Sequence, residues 1–274
     1  MRRFTLCLLL TTAALAHAAY LPQDPASSLD ALLKDVWAQG ADHAYNLYMG
    51  KETVRMDPAA RKSFPQGMLD LAQNPNVAGI ILQKSKMEFH PQAHLPAAEE
   101  FDGAYFVHFM RSDFRSNSIN ERIYINVHPD HAAEVMQFVV QDVLAKPGFP
   151  EAKVAPPAGL ETRADSMLIY AHSLADVDWA LGRLSEYQAA HRDNFLPQLP
   201  AATHPRLIGI STAAQPEASL KSSSFGEYMA RVAQVAMKQT PPPADFAEFR
   251  KRVREVMTSD GVDPDHPDRL THRP

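Results

Sequence analysis

Between Glu121 and Leu144 the chain changes its period. "ERIYINV" alternates, with Arg122, Tyr124 and Asn126 on one side and Ile123, Ile125 and Val127 on the other, and "HPDHAAEVMQFVVQDVL" then repeats its apolar residues at helical spacing. Pro129 fits a first helical turn, and Asp130 and Glu134 suit the positive end of a helix. A strand that runs directly into a helix limits the chain to folds in which helices pack on a sheet. The alternation also predicts a half-buried strand, with Arg122 and Tyr124 turned toward solvent or toward a substrate.

The remaining segments extend this pattern. "SSLDALLKDVWAQGADHAYNLYMG" reads as a helix with Ser28 as N-cap and Leu29, Leu32, Leu33 and Val36 at helical spacing, and "QGMLDLAQ" as a short second helix. Residues 74–100 are punctuated by proline around one strand-like run, "VAGIIL". "AYFVHFMR" (Ala104–Arg111) and "RIYINV" read as strands, with "SDFRSNSINE" as the loop of an antiparallel connection. "AKV", "SMLIYAH" and "RLIGIS" are further strands. "SLADVDWALGRLSEYQAAH", capped by Ser173, "SSSFGEYMARVAQVAMKQ" and "PPADFAEFRKRVREVM" are helices. No internal repeat is visible, and the order of elements predicts an α+β fold.

The first 18 residues carry Arg2 and Arg3, an apolar run and an Ala16-His17-Ala18 ending, the form of a cleavable Sec signal peptide. The run is too short to span a bilayer, so no membrane insertion is expected after cleavage, and the protein is expected to be periplasmic or secreted. Cys7, the only cysteine, lies in this leader, which leaves no disulfide and no thiolate nucleophile. Without Arg2 and Arg3 there are 25 basic residues against 32 acidic ones, and the formal net charge moves from −5 to −7. That balance disfavours a nucleic-acid or anionic-membrane partner. Residues 19–100 read as a helical and proline-rich region, 101–240 as the α+β core, 241–258 as a C-terminal helix, and the apolar-poor 259–274 as a disordered tail.

The chain has no G-x-S-x-G, G-x-G-x-x-G or P-loop. His128 and His131, followed by Glu134, and His90 and His94 do not form H-E-x-x-H, and no metal is expected. More informative is the ordered set His108, Arg111, Arg122, Tyr124, Lys153, Arg163 and Tyr170 on or beside the predicted strands. Several cations and phenols with few carboxylates suit a phosphorylated or carboxylated ligand, because a guanidinium grips phosphate through two parallel hydrogen bonds.

"FVHFMR", "ERIYINV", "AKV" and "TRADSMLIY" together resemble the core of the phosphothreonine lyases of bacterial pathogens, the SpvC and OspF class. The chain is still more similar to the HopA family of type III effectors, through "LIGISTAAQPEASLKSSSFGEYMARVAQVA" with its Ser224-Phe225-Gly226 helix start. The resemblance covers residues 104–238. It implies a mixed, largely antiparallel sheet with flanking helices and no cofactor. It also implies an effector-type protein acting on a phosphorylated protein or peptide, including a host protein, by β-elimination of phosphate. Carried over residue by residue, Lys153 is the base and Arg122 the cation beside the general acid. Arg163, Tyr170, His108 and Arg111 hold phosphate, with Arg206 and Arg231 as further candidates. The chain departs from the lyases at Tyr124, which stands where they have a histidine acid, and a phenol suits that role less well. A non-catalytic interaction module on the same fold is the alternative. A Sec leader also departs from type III export.

Overall fold

The computed structural model describes residues 24–50, 53–101, 103–112, 119–215, 224–240 and 245–271. The leader, residues 1–18, lies outside them. Ten strands and eight α-helices order the described chain. Helices α1 (Pro25–Gln39), α2 (Ala44–Tyr48) and α3 (Pro58–Ala72) precede the hairpin β1 (Gly79–Gln83) and β2 (Met87–Pro91). Then come β3 (Phe106–Met110), β4 (Glu121–Ile125), α4 (Ala132–Phe138), β5 (Glu151–Val154), α5 (Pro157–Leu160), β6 (Met167–Ala171) and α6 (Leu174–Ala190). Strands β7 (His204–Leu207) and β8 (Ile210–Ala214), helices α7 (Phe225–Lys238) and α8 (Phe246–Ser259), and the hairpin β9 (Val262–Asp263) and β10 (His266–Leu270) complete the chain.

Eight strands form one sheet in the order β2-β1-β3-β5-β6-β4-β8-β7, and every neighbouring pair is antiparallel. The fold is therefore α+β, as the pattern predicts. Helices α4 and α6 cover one face, α6 against β4 and β6; α2 and α7 pack together over the other and are joined there by α1 and α8. Among the described residues, no helix is long and apolar enough to cross a membrane.

Covering both faces overturns the half-buried strand. All five residues of β4 are buried, Arg122 and Tyr124 at 1% exposure as fully as Ile123 and Ile125. β4 sits inside the sheet between β6 and β8, so its polar alternation marks a buried polar layer and not a solvated face. Nor are β3 and β4 paired: β5 and β6 lie between them, so "SDFRSNSINE" does not close a hairpin, and its residues 113–118 lie outside the described ones.

Other boundaries move for local reasons. Helix α1 starts at Pro25 with Asp24 as its cap, accepting from Ser27 N at 3.2 Å, while Ser28 Oγ instead accepts from Ala202 N at 3.2 Å. Ser173 and Ser224 cap α6 and α7 as expected. "RLIGIS" is two antiparallel strands, β7 and β8, turned at Gly209. The described part of the tail, residues 259–271, is ordered: α8 continues to Ser259, and β9–β10 packs on β8 and α1, burying Val262 and Asp268. The 19–100 region is not separate from the core, since β1 and β2 complete the sheet and one hydrophobic cluster runs from Leu29 to Val262.

Gly209 has φ +66, and a Cβ there would run into the Leu196 carbonyl oxygen and lie 3.2 Å from that of Asn126. Left-handed backbone strain adds to that overlap, so Gly209→Ala is expected to destabilise the protein by about 3 kcal/mol. Urea unfolding would register this as a lower midpoint at unchanged slope.

Candidate functional site

The register fixes which side chains share a face. His108 on β3 lies opposite Lys153 on β5; Glu151 lies opposite Tyr170 on β6, and Tyr170 opposite Arg122 on β4. Partners across an antiparallel pair stand on the same side. Four neighbouring strands, β3, β5, β6 and β4, thus set five polar side chains side by side, and all five are buried. Burying this much polarity is unfavourable unless it is paired. His108 Nδ1 meets Glu151 Oε1, and its Nε2 lies 2.9 Å from Gln83 Oε1. Arg122 Nε donates to Gln215 Oε1, and its guanidinium carbon lies 5.1 Å from the centre of the Tyr170 ring.

A hollow of about 410 Å³ opens above this layer. His108, Arg122, Glu151, Lys153 and Tyr170 form its floor. Tyr45 from α2 and Ser224 and Glu227 from the first turn of α7 close one side. The approach of α7 depends on Gly226, where a Cβ would come within 2.6 Å of the Tyr48 ring. The α7 N-terminus adds positive potential.

Lys153 is the chemical centre. Its amine lies 4.1 Å from the centre of the Phe106 ring and 5.7 Å from that of Tyr170. Burial lowers its pKa first, and the Arg122 charge lowers it further; Glu151 and Asp165 oppose, and the balance is about 8 against an ordinary 10.5. The amine is therefore available as a base near neutral pH. His108 is lowered by burial, with its bond to Glu151 opposing. Tyr170 is raised, chiefly by burial, with the Arg122 charge opposing.

Arg163 lies one wall away, in an adjoining hollow of about 540 Å³ that shares Tyr45, Gln83, Phe106 and Glu227 with the first. Its guanidinium carbon is 4.6 Å from the Phe106 ring centre, so Phe106 carries both cations. Asp165 holds Arg163 through two 2.9 Å bonds, and Tyr45 accepts a third at 3.1 Å. Arg231 lines this second hollow and pairs with Asp260.

Other expected residues stand elsewhere. Tyr124 shares the face but not the hollow: its hydroxyl is sealed against Tyr48 and Arg122, near enough for them to influence its ionisation yet with no partner at strict hydrogen-bond geometry. Burial first, against the Arg122 charge, pushes it up to about 12. Arg111 points to the opposite face, where it donates to Leu144 O. Arg206 pairs with Asp178 at 2.9 Å near the far edge of the sheet. The face is also richer in carboxylates than expected, because Glu151, Asp165 and Glu227 all reach it. Glu151 was visible two residues before Lys153 on one strand; Tyr45, Gln83 and Gln215 carried no such signal.

A larger hollow, about 830 Å³, lies between α1 and α8. Its rim is charge-neutralised by Arg250–Asp30 and Arg254–Asp265 pairs, and it contains no buried titratable group. Among the described residues, no three His, Cys, Asp or Glu side chains gather as a cation site.

Residues 68–269 match a family model described as the HopA1 effector protein family. The effector protein from Pseudomonas syringae pv. syringae strain 61 superposes with TM-score 0.69 and 19% identity, over 91% of this chain and 98% of that one. The effector protein from Pseudomonas syringae pv. tomato strain DC3000 gives 0.67 and 18%, over 90% and 98%. The type III effector/phosphothreonine lyase OspF from Shigella flexneri gives 0.37 and 10%, over 73% and 96%, a likeness too loose to carry an argument. No curated protein sequence matches this chain significantly.

Proposed function

The chain belongs to the HopA1 effector protein family, and from that premise we propose that its cationic cleft holds the phosphate of a phosphorylated threonine or serine in a protein or peptide and eliminates it. The observation that carries this reading is the Lys153 amine, buried, lowered to about 8, and opening on the same hollow as Arg122 and Tyr170.

The chemistry follows from those groups. The neutral amine takes the Cα proton and becomes an ammonium. The released electron pair forms the Cα=Cβ bond, and the Cβ–O bond breaks with its pair leaving on phosphate. Arg122, charged at any working pH, holds the phosphate oxygens. Tyr170, not the sealed Tyr124, is the phenol positioned to give the departing oxygen its proton. The third proton of orthophosphate is held more tightly than an ordinary phenol's, and burial raises Tyr170 toward it, so the transfer is roughly balanced. Arg163 and Arg231, each neutralised by a carboxylate, support the wall of the cleft more than the phosphate. The reading takes the protein out of the producing cell by its leader, residues 1–18.

Incubation with a phosphothreonine peptide is expected to release inorganic phosphate and leave a peptide lighter by one phosphoric acid. Loss of phosphate with gain of a hydroxyl would mark hydrolysis and contradict the mechanism. The release rate is expected to rise about tenfold per pH unit up to about 8 and then level, as neutral Lys153 accumulates. The second reading is a phosphopeptide-binding module without turnover, favoured by the sealing of Tyr124 at the expected acid position. Tight binding without any phosphate release would select it.

A further inference from the structure

We propose that the substrate polypeptide leaves the cleft across β5, β3, β1 and β2, and that an apolar residue roughly four positions from the phosphorylated one docks on Phe89. This rests on the phosphate reading of the cleft. Lys153 pairs with His108, His108 with Ile81, and Ile81 with Phe89. The four side chains therefore form one row on the cleft side of the sheet. Exposure climbs along it: Lys153 and His108 are buried, Ile81 is half-buried, and Phe89 is 54% exposed.

Met87, 57% exposed, stands two residues before Phe89 on the same face and itself lines the cleft, so the apolar rim is continuous with the phosphate hollow. β2 is the outer strand, paired only with β1 among the described residues. Large apolar side chains on an outer strand are a hazard for self-association, and their retention beside a cleft marks a binding surface. The occupant follows from the cleft: a phosphorylated residue seated there must continue as chain in both directions. Three strand spacings put Phe89 about 14 Å from Lys153, and an extended chain covers that in roughly four residues.

Fluorescent phosphothreonine peptides in a Gly/Ser background supply the test. One carries Leu four residues before the phosphothreonine, one Leu four after, and one neither. Anisotropy gives Kd, and phosphate release gives KM and kcat, for the wild type and for Phe89→Ser. One Leu peptide is expected to bind roughly tenfold tighter than the Leu-free peptide, with KM lowered to match and kcat unchanged. Phe89→Ser should erase that preference and leave the Leu-free values alone. Equal Kd for all three peptides, or a preference that survives Phe89→Ser, overturns the docking row. Leu-dependent binding without phosphate release keeps the row and removes the elimination chemistry. Failure of every phosphopeptide to bind overturns both.

Discussion

Lys153→Met is expected to abolish phosphate release and to raise the melting temperature. The two effects share one cause. At neutral pH the amine in the folded protein still carries a proton, although its surroundings have lowered its pKa from 10.5 to about 8. The unfolded chain keeps the ordinary value. Between pH 8 and 10.5 the unfolded state binds more protons, so stability rises with pH across that window. Below pH 8 both states are protonated, and the full penalty of the buried charge stands. A shift of this size is on the order of 3 kcal/mol. Methionine fills a similar volume without the charge, so at pH 7 it should recover most of that, roughly 5–10 °C in a chain of this length. Above pH 10.5 the gain should vanish. A loss of stability in Lys153→Met would mean that Glu151 and the Phe106 ring hold the ammonium more favourably than burial penalises it.

Arg122→Met should have the second largest effect, and mainly on binding. The guanidinium is 1% exposed, its Nε is fixed by Gln215, and it stacks near Tyr170, so the fork is oriented before any ligand arrives. Little ordering is then needed when phosphate binds, and the low-dielectric surroundings strengthen the interaction. Removing the guanidinium should weaken phosphopeptide binding, measured by calorimetry, on the order of 100-fold or more. Arg122→Lys should recover only part of it, because an ammonium supplies the charge without the fork. It should also raise the pH at which Lys153 becomes neutral in Arg122→Met, since the Arg122 charge is the second cause of its lowering. Unchanged affinity in Arg122→Met would place the anion elsewhere, most directly in the adjoining hollow of Arg163 and Arg231.

The sequence carries the elements of this fold better than their neighbours. Alternation locates β4 and short strand-like runs locate β3, β5 and β6, but pairing order depends on contacts far apart along the chain, and "SDFRSNSINE" reads as a hairpin loop. Period alone cannot say whether the polar side of β4 meets water or a second layer of helices, and here it meets the helices. Strand period does settle two placements. Arg111 is three residues from His108, an odd interval that sends it to the opposite face, where it meets Leu144. Glu151 is two residues from Lys153, an even interval that brings its carboxylate into the site. Tyr45 was not legible, since it reaches the cleft only because α2 packs under α7. Residues 259–271 show how few apolar residues suffice to order a segment: Val262 and Leu270 join the core beside α1 and β8.

The account depends on a lysine that can be neutral near physiological pH beside a guanidinium and a phenol. Titration of the Lys153 amine by NMR, assigned through Lys153→Met, tests this directly. A midpoint near pH 8 that moves upward when inorganic phosphate is added is the predicted result. A midpoint near the ordinary 10.5, indifferent to phosphate, would contradict both the base and the anion seat.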